Sequence, residues 1–252
     1  MALNRELHVL VVGGSDSSGG AGIARDIETI SSIGLRTCVA VTAVTVQTHG
    51  AVKDILHLRP GLVADQMRAA LQANEVAAIK IGMLATPPII AAVAAVLSEN
   101  PRIPAVLDPV LASSSGRPLV EPNAIDVMKR DLMPLCRLVT PNLVELAVLT
   151  GSELAVSDED VLRLGRRLLA AGPQALLIKG GHAAGTRSTD ILLGPDREPV
   201  RFDMPRLAGS MRGTGCMLAS AIAAHLAKAK SLEDSVRAAK QRVFEKLMEA
   251  SA

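Results

Sequence analysis

A chain of 252 residues, 49 % hydrophobic and 21 % charged, has the composition of a globular protein in water, and at that length one core buries roughly 70–75 % of the surface an extended chain exposes. Its 27 basic and 25 acidic residues leave a formal charge of +2, spread along the sequence without a basic arm or stripe, which argues against nucleic acid as a partner. Two Phe and no Trp or Tyr deny it a stacking platform for bases, so a flat ligand has to be sandwiched by aliphatic or Met side chains.

The start, Met1-Ala2-Leu3-Asn4-Arg5-Glu6, lacks the basic head and apolar run of a signal peptide. The apolar run Ile89 to Leu97 is too short to cross a bilayer. Cys38, Cys136 and Cys216 have no metal-ligand spacing and too odd a count for a disulfide scaffold. These features lead us to expect a cytoplasmic protein of one domain, residues 1–252, with no membrane partner.

His8 to Val12 reads as a buried strand that ends in Gly13-Gly14. A glycine-rich turn over Gly13 to Gly22 then feeds a helix over Ile23 to Ser32, and Val39 to Val46 is a second strand. Leu62, Val63, Met67 and Leu71 recur near helical spacing. Strand and helix then alternate: Ala78 to Met83, Pro88 to Leu97, Ala105 to Val110, Ala124 to Met133 and Leu138 to Thr140. Val161, Leu164, Gly165 and Leu168 mark a helix before the strand Ala175 to Lys179. Asp190 to Leu193 and Val200 to Asp203 read as an antiparallel pair around Gly194-Pro195-Asp196, and helices over Gly213 to Ala227 and Leu232 to Glu249 close the chain. Such alternation predicts an α/β fold, a central mostly parallel sheet flanked by helices on both faces. Ligands bind at the carboxyl ends of the strands in such folds.

Several of those ends carry chemistry. Gly13 to Gly22 lets backbone approach a ligand and supplies N–H groups at a helix start, though it matches neither a dinucleotide fingerprint nor a phosphate loop; a plain tight turn is the other reading. Gly213-Thr214-Gly215-Cys216 precedes an Ala-rich helix, where successive N–H groups can hold a transferring phosphoryl group. The same helix start favours a Cys216 thiolate, which makes Cys216 a candidate base; a buried structural cysteine is the alternative. Asn142 and Glu145, three apart at a helix start, suit a site for Mg²⁺ or an ordinary capping box, and Asp108 suits a metal or a turn. Lys179 stands before two glycines as a cation for phosphates or as a solvated charge. Gln47 offers both donor and acceptor to a heterocycle, and Met83 can lie over a flat ring, although a loop residue and a core residue are their commoner roles. His49 and His182 read as surface histidines.

Taken in order, Gly14-Ser15-Asp16-Ser17-Ser18-Gly19-Gly20-Ala21-Gly22, Val44-Thr45-Val46-Gln47, Lys80-Ile81-Gly82-Met83, Leu107-Asp108-Pro109-Val110, Thr140-Pro141-Asn142-Leu143-Val144-Glu145, Lys179-Gly180-Gly181-His182 and Gly213-Thr214-Gly215-Cys216 resemble the hydroxymethylpyrimidine/phosphomethylpyrimidine kinases of thiamine biosynthesis, in the ribokinase superfamily. The resemblance implies a ribokinase-like fold and a homodimer. It implies ATP- and Mg²⁺-dependent phosphorylation of 4-amino-5-hydroxymethyl-2-methylpyrimidine to its monophosphate, then of the monophosphate to the diphosphate. By the same resemblance Gln47 reads the aminopyrimidine edge, Asp16 and the Gly22 backbone are its polar surroundings, and Met83 and Val110 its apolar ones. Gly213, Thr214 and Gly215 match the anion hole, and Cys216 replaces the aspartate base of sugar kinases. Asn142, Glu145 and Asp108 match the magnesium element, with Lys179 on the ATP phosphates. Two positions depart from the family's usual pattern. Arg212 replaces a histidine before Gly-Thr-Gly-Cys, with phosphorylated substrate or ATP as its expected contact or blockage of the monophosphate as its effect, and Gln47-Thr48-His49 replaces Gln-Asn-Thr. A pyridoxal or pyridoxine kinase of the same fold is the nearest rival, because its substrate is also a small ring with a hydroxymethyl arm.

Overall fold

Val9, Leu10, Val11 and Val12 are all completely buried, which a strand achieves only when both of its faces are covered. The computed structural model describes residues 6–113, 115–180, 186–207 and 211–251, and these four residues lie in its central strand, β1 (Leu7–Asp16). Leu10 and Val12 point to one side, against α2 (Pro60–Ala73) and α3 (Pro87–Glu99), through Val63, Met67, Ile90 and Val93. Val9 and Val11 point to the other. There they meet Ile23 and Ile30 of α1 (Gly22–Ser32), Ala219 and Ile222 of α7 (Thr214–Ala227) and Val236 of α8 (Leu232–Ser251). Each such aliphatic side chain contributes about 1.5–3 kcal/mol on burial. The many alanines of α7 let that helix pack closely on the sheet.

The remaining elements are β2 (Arg36–Gln47), β3 (Val52–His57), β4 (Glu75–Ile81), β5 (Ala105–Leu107), α4 (Ala124–Val127), β6 (Leu138–Val139), α5 (Leu143–Thr150), α6 (Asp158–Leu169), β7 (Leu176–Ile178), β8 (Arg187–Leu193) and β9 (Val200–Pro205). A π turn over Met128–Leu132 and a 3₁₀ turn over Met133–Leu135, with Pro134 inside it, continue α4. One sheet holds nine strands in the order β3-β2-β1-β4-β5-β6-β7-β8-β9. From β2 to β7 the neighbours are parallel; β3, β8 and β9 join antiparallel. The mostly parallel sheet with helices on both faces is therefore as the sequence predicts.

The chain leaves β1 toward β2 and returns to the sheet on the other side of β1, as β4. This reversal opens a crevice at the strand ends.

Three expectations change. β1 does not stop at Gly13-Gly14: it passes through an irregularity there and stays paired with β2 as far as Asp16, opposite Thr45. Bare glycines let the strand pass Gly82 and Met83 at close range. β3 has no counterpart in the sequence reading. It is an edge strand with only Val52 buried, so it lacks the hydrophobic alternation that reveals a half-buried strand. β5 is shorter than expected, because Asp108 and Pro109 turn the chain out of the sheet after Leu107.

Candidate active site

Gly22 begins α1 with φ +59°, and a methyl group there would stand 2.5 Å from the Gly14 carbonyl oxygen, so only glycine fits. Its backbone lies near enough to Cys216 to pull the thiol's pKa down slightly. Gly213, the N-cap of α7, has φ +75° and is pressed against the Gly20 carbonyl. The first loop and the Gly213–Cys216 turn therefore form one packed unit, with the starts of two helices facing each other.

Among the described residues no side chain caps α7, and its first N–H groups have no acceptor within the helix. Directly against this turn lies a buried charged cluster. The Lys179 ammonium is 2.6 Å from Asp108 Oδ1 and 3.7 Å from Glu145 Oε2. A methyl on Gly215 would stand 3.3 Å from Lys179 Nζ and 3.5 Å from Asp108 Oδ2. Burial opposes the Lys179 charge, but Asp108 and Glu145 outweigh it and raise its pKa above the ordinary lysine value. Glu145 goes the same way for the opposite reason: burial pushes its carboxyl up, against the pull of Lys179. Asn142 and Glu145 form a capping box on α5, with Glu145 N–H donating to Asn142 Oδ1 at 2.9 Å and Asn142 N–H to Glu145 Oε2 at 2.8 Å. The capping reading is thus realised, and it fixes the carboxylate beside Lys179. Among the described residues no group of three His, Cys, Asp or Glu side chains is placed to hold a metal by itself. Of the sequence element that contains Lys179, Gly181 and His182 lie outside the described residues.

On the other side of Cys216 lie the remaining predicted contacts. Met83 is buried and its sulfur lies over Gly14, 3.1 Å from where a Cβ would sit. With Ala43, Ala85 and the partly buried Ile55, Val110 and Leu119 it forms a small apolar cluster apart from the two main core faces. Gln47 ends β2; its Oε1 accepts from Thr45 Oγ1 at 3.2 Å, and its backbone is tied to Ser17 Oγ at 2.8 Å. Asp16 accepts from the amide and hydroxyl of Ser18 at 2.9 and 2.7 Å.

Two expectations are narrowed. Arg212, for which the sequence leaves phosphorylated substrate, ATP or blockage of the monophosphate open, turns to the first loop: its guanidinium donates to Asp16 Oδ2 at 3.2 Å, Ser18 Oγ at 2.9 Å and the Thr48 carbonyl at 3.3 Å. The Cys216 thiolate is not favoured at rest. Burial pushes the thiol up to about 11; Lys80 pulls it down, while Asp26 and Asp108 add to the rise.

Lys80 and Asp26 are the pair that sequence reasoning missed. They are 1 % and 0 % exposed, 2.7 Å apart, and the second Asp26 oxygen accepts from Ser220 Oγ at 2.7 Å. Burial works against the Lys80 ammonium, yet Asp26, Cys216 and Asp108 hold its pKa above the usual lysine range. A signal was present: Lys80 interrupts the aliphatic Ala78-Ile79-Lys80-Ile81, and Asp26 sits at helical spacing between Ile23 and Ile30. Opposite charges on two faces that must be buried call for each other.

A parallel sheet with a crevice at its strand ends, an uncapped glycine turn and a buried lysine among carboxylates define a ribokinase-like small-molecule kinase. The family model described as phosphomethylpyrimidine kinase matches residues 16–251. A hydroxymethylpyrimidine/phosphomethylpyrimidine kinase of Mycobacterium tuberculosis is 43 % identical over 244 residues, 96 % of this chain and 88 % of that one. A solved phosphomethylpyrimidine kinase of Clostridium difficile is 33 % identical with a TM-score of 0.83, covering 96 % of this chain and 99 % of that one. The pyridoxal kinase of Staphylococcus aureus solved with pyridoxal is 29 % identical with a TM-score of 0.88, covering 97 % and 88 %. The chain belongs to the phosphomethylpyrimidine kinase family.

Proposed function

We propose that this enzyme transfers the γ-phosphate of ATP to 4-amino-5-hydroxymethyl-2-methylpyrimidine and then to the resulting monophosphate, in thiamine biosynthesis. The observation that carries the reading is that Met83, clustered with Val110, lies over Gly14 of the first loop, which Gln47 joins through Ser17 and which packs through Gly20 against the Gly213–Cys216 turn. A flat ring has an aliphatic bed there. Gln47 offers amide and carbonyl to an aminopyrimidine edge, and a hydroxymethyl arm points to Cys216.

Lys179 contacts the ATP phosphates, and the Gly213, Thr214 and Gly215 amides receive the charge that spreads over the transferring group. Asp108 and Glu145, hard oxygen donors converging on the same turn, would hold an Mg²⁺, with Asn142 orienting Glu145, and the charge such an ion supplies would offset that of the phosphates. The substrate oxygen bonds to the γ-phosphorus as the bond to the ADP oxygen breaks. In a loose transition state the alcohol keeps its proton until late. Cys216 then relays that proton late: its sulfur takes the proton of the acidified oxygen as its own thiol proton passes to an oxygen of the transferred phosphoryl group.

The three free thiols suit a reducing cytoplasm. Val44, Val46 and Leu56, 44 %, 55 % and 65 % exposed on the β2–β3 ribbon, give a homodimer an apolar face to cover. The nine strands in one sheet suit a single catalytic domain.

Supplying the protein with ATP, Mg²⁺ and either the aminopyrimidine alcohol or pyridoxine, and reading products by mass, tests the assignment. Monophosphate and diphosphate of the pyrimidine are expected. A higher kcat/KM for pyridoxine, or no pyrimidine product, overturns it.

A further inference from the structure

Three separate segments meet at the Arg212 side chain. The first loop contributes Asp16 and Ser18, the β2–β3 turn contributes the Thr48 carbonyl and, at 3.5 Å, the His49 Nδ1, and the α7 turn contributes Arg212 itself. A methyl on Gly20 would stand 3.2 Å from Arg212 Nη1, so this guanidinium lies against the loop that begins the substrate side. It is largely buried, its side chain 20 % exposed.

The bonding of that guanidinium is incomplete. Nη1 has Ser18 and Thr48 as partners, Nη2 has only the long contact to Asp16, and Nε is buried with no partner in the described structure. An orphaned buried donor is costly, and Nε with Nη2 is the edge of a guanidinium that takes two oxygens of one anion in a parallel fork. Asp16 does not use the fork: it approaches Nη2 alone and spends its other oxygen on Ser18. The arrangement holds the arginine in place and leaves Nε, shielded from solvent at rest, without an acceptor among the described residues, so a second anion reaches the Nε–Nη2 edge only if the loop around it yields.

We propose that Arg212 forms a phosphate-monoester subsite, in which Nε and Nη2 receive two oxygens of the substrate's own phosphate during the second phosphoryl transfer. This rests on the function proposed above. The neutral alcohol of the first step has no anion to offer, and the guanidinium then stays with Asp16. With the monophosphate bound, two of its oxygens sit on Arg212 and the third faces the Gly213 turn. That third oxygen bonds to the γ-phosphorus of ATP, the bond from γ-phosphorus to the bridging oxygen breaks, and ADP leaves with the electron pair. The attacking oxygen is already ionised, so no proton has to be removed. Ser18 and Thr48 keep the arginine from swinging to the nucleotide side, which assigns its charge to the substrate.

The test uses the intact enzyme and its Arg212→Met and Arg212→Lys variants, with kcat/KM measured separately for the pyrimidine alcohol and for the monophosphate. The ratio of monophosphate to alcohol is expected to fall about 10- to 100-fold in Arg212→Met, the range for losing a charged hydrogen bond. Arg212→Lys should restore part of that ratio, because it keeps the charge but loses the fork. Calorimetric binding of the monophosphate without ATP should weaken in the same order. An unchanged or increased ratio, equal monophosphate affinity in all three proteins, or a wild-type enzyme that stops at the monophosphate overturns the subsite. A wild-type enzyme inactive on the alcohol overturns the proposed function instead, and the binding series still decides the role of Arg212.

Discussion

Gly213 rests against Gly20 so closely that a methyl group on Gly213 would stand 2.5 Å from the Gly20 carbonyl oxygen. The contact joins the turn proposed to bind the transferring phosphate to the loop proposed to bind the ring. Gly213→Ala must open this contact and also place a side chain at φ +75°, a strain of about 1–3 kcal/mol. A loss of kcat of at least tenfold is expected, rising toward about 100- to 1,000-fold if one amide of the anion hole is misaimed altogether. Thermal melting should fall by only a few degrees. Steady-state kinetics beside a melting curve separate the two, and a variant with normal kcat would show that the packing does not aim the amides.

Lys179 is the cation shared by Asp108 and Glu145. Lys179→Met leaves two crowded carboxylates facing the turn, so nucleotide affinity should fall along with rate. A loss in kcat/KM for ATP of about 100-fold is expected, in line with a charged contact worth up to about 3 kcal/mol, with a smaller change in KM for the pyrimidine. Lys179→Arg should recover little, because a larger guanidinium has to fit between Asp108, Glu145 and the Gly215 turn, where even a methyl on Gly215 would stand 3.3 Å from the ammonium. Equal effects on both substrates would remove Lys179 from the phosphate site.

The three thiols supply a pH test. Burial holds Cys38 and Cys216 up at about 11 and Cys136 at about 12, against a reference of 9.0. The folded protein therefore keeps protons that the unfolded chain releases. Stability from this source is complete below pH 9 and is lost as pH rises through 11 to 12. Alkylation of native Cys216 at neutral pH should be slower than that of a free thiol by about 100-fold, the thiolate deficit that goes with its raised pKa. Mass-resolved alkylation against pH checks this. Fast neutral modification of Cys216 would restore the dipole-favoured thiolate expected from the sequence.

The fold was legible because Val9 to Val12 and Leu176 to Ile178 are aliphatic runs, Val76 to Ile81 is one apart from Lys80, and the helices between them have clear apolar faces. The edge strand β3 was not, since an edge strand buried at one residue leaves no periodic trace. At the site, the glycine turns and Cys216 announced themselves by type and position. Arg212 could be singled out, but its direction could not, because a long side chain at the start of a helix reaches either way and only the Ser18 and Thr48 acceptors decide. The Cys216 titration has a related limit: a helix start is visible in a sequence, whereas the partial burial that opposes the thiolate comes from distant segments.

Lys80 and Asp26 carry the fourth prediction. Removing one member of a buried pair leaves the other charge uncompensated, at about 3–5 kcal/mol. Lys80→Met and Asp26→Asn should each lower the urea midpoint strongly. The double replacement Asp26→Leu with Lys80→Met should recover most of the stability, since well-packed apolar groups often replace such a pair at little cost. Its kcat, measured on folded protein, should still fall, because Lys80 also faces Cys216. A double variant no more stable than the singles would show that the pair is not a closed unit.

The same pair sets a rule for divergence. Ser220 comes one helical turn after Cys216 and also binds Asp26, so positions 26, 80 and 220, far apart in the chain, are under one constraint. Among descendants of this sequence a neutral residue at 80 should arrive only with a neutral residue at 26, and the path between the two states passes through a poorly folded intermediate. Drift at these positions is therefore blocked one substitution at a time, whatever substrate the lineage comes to prefer.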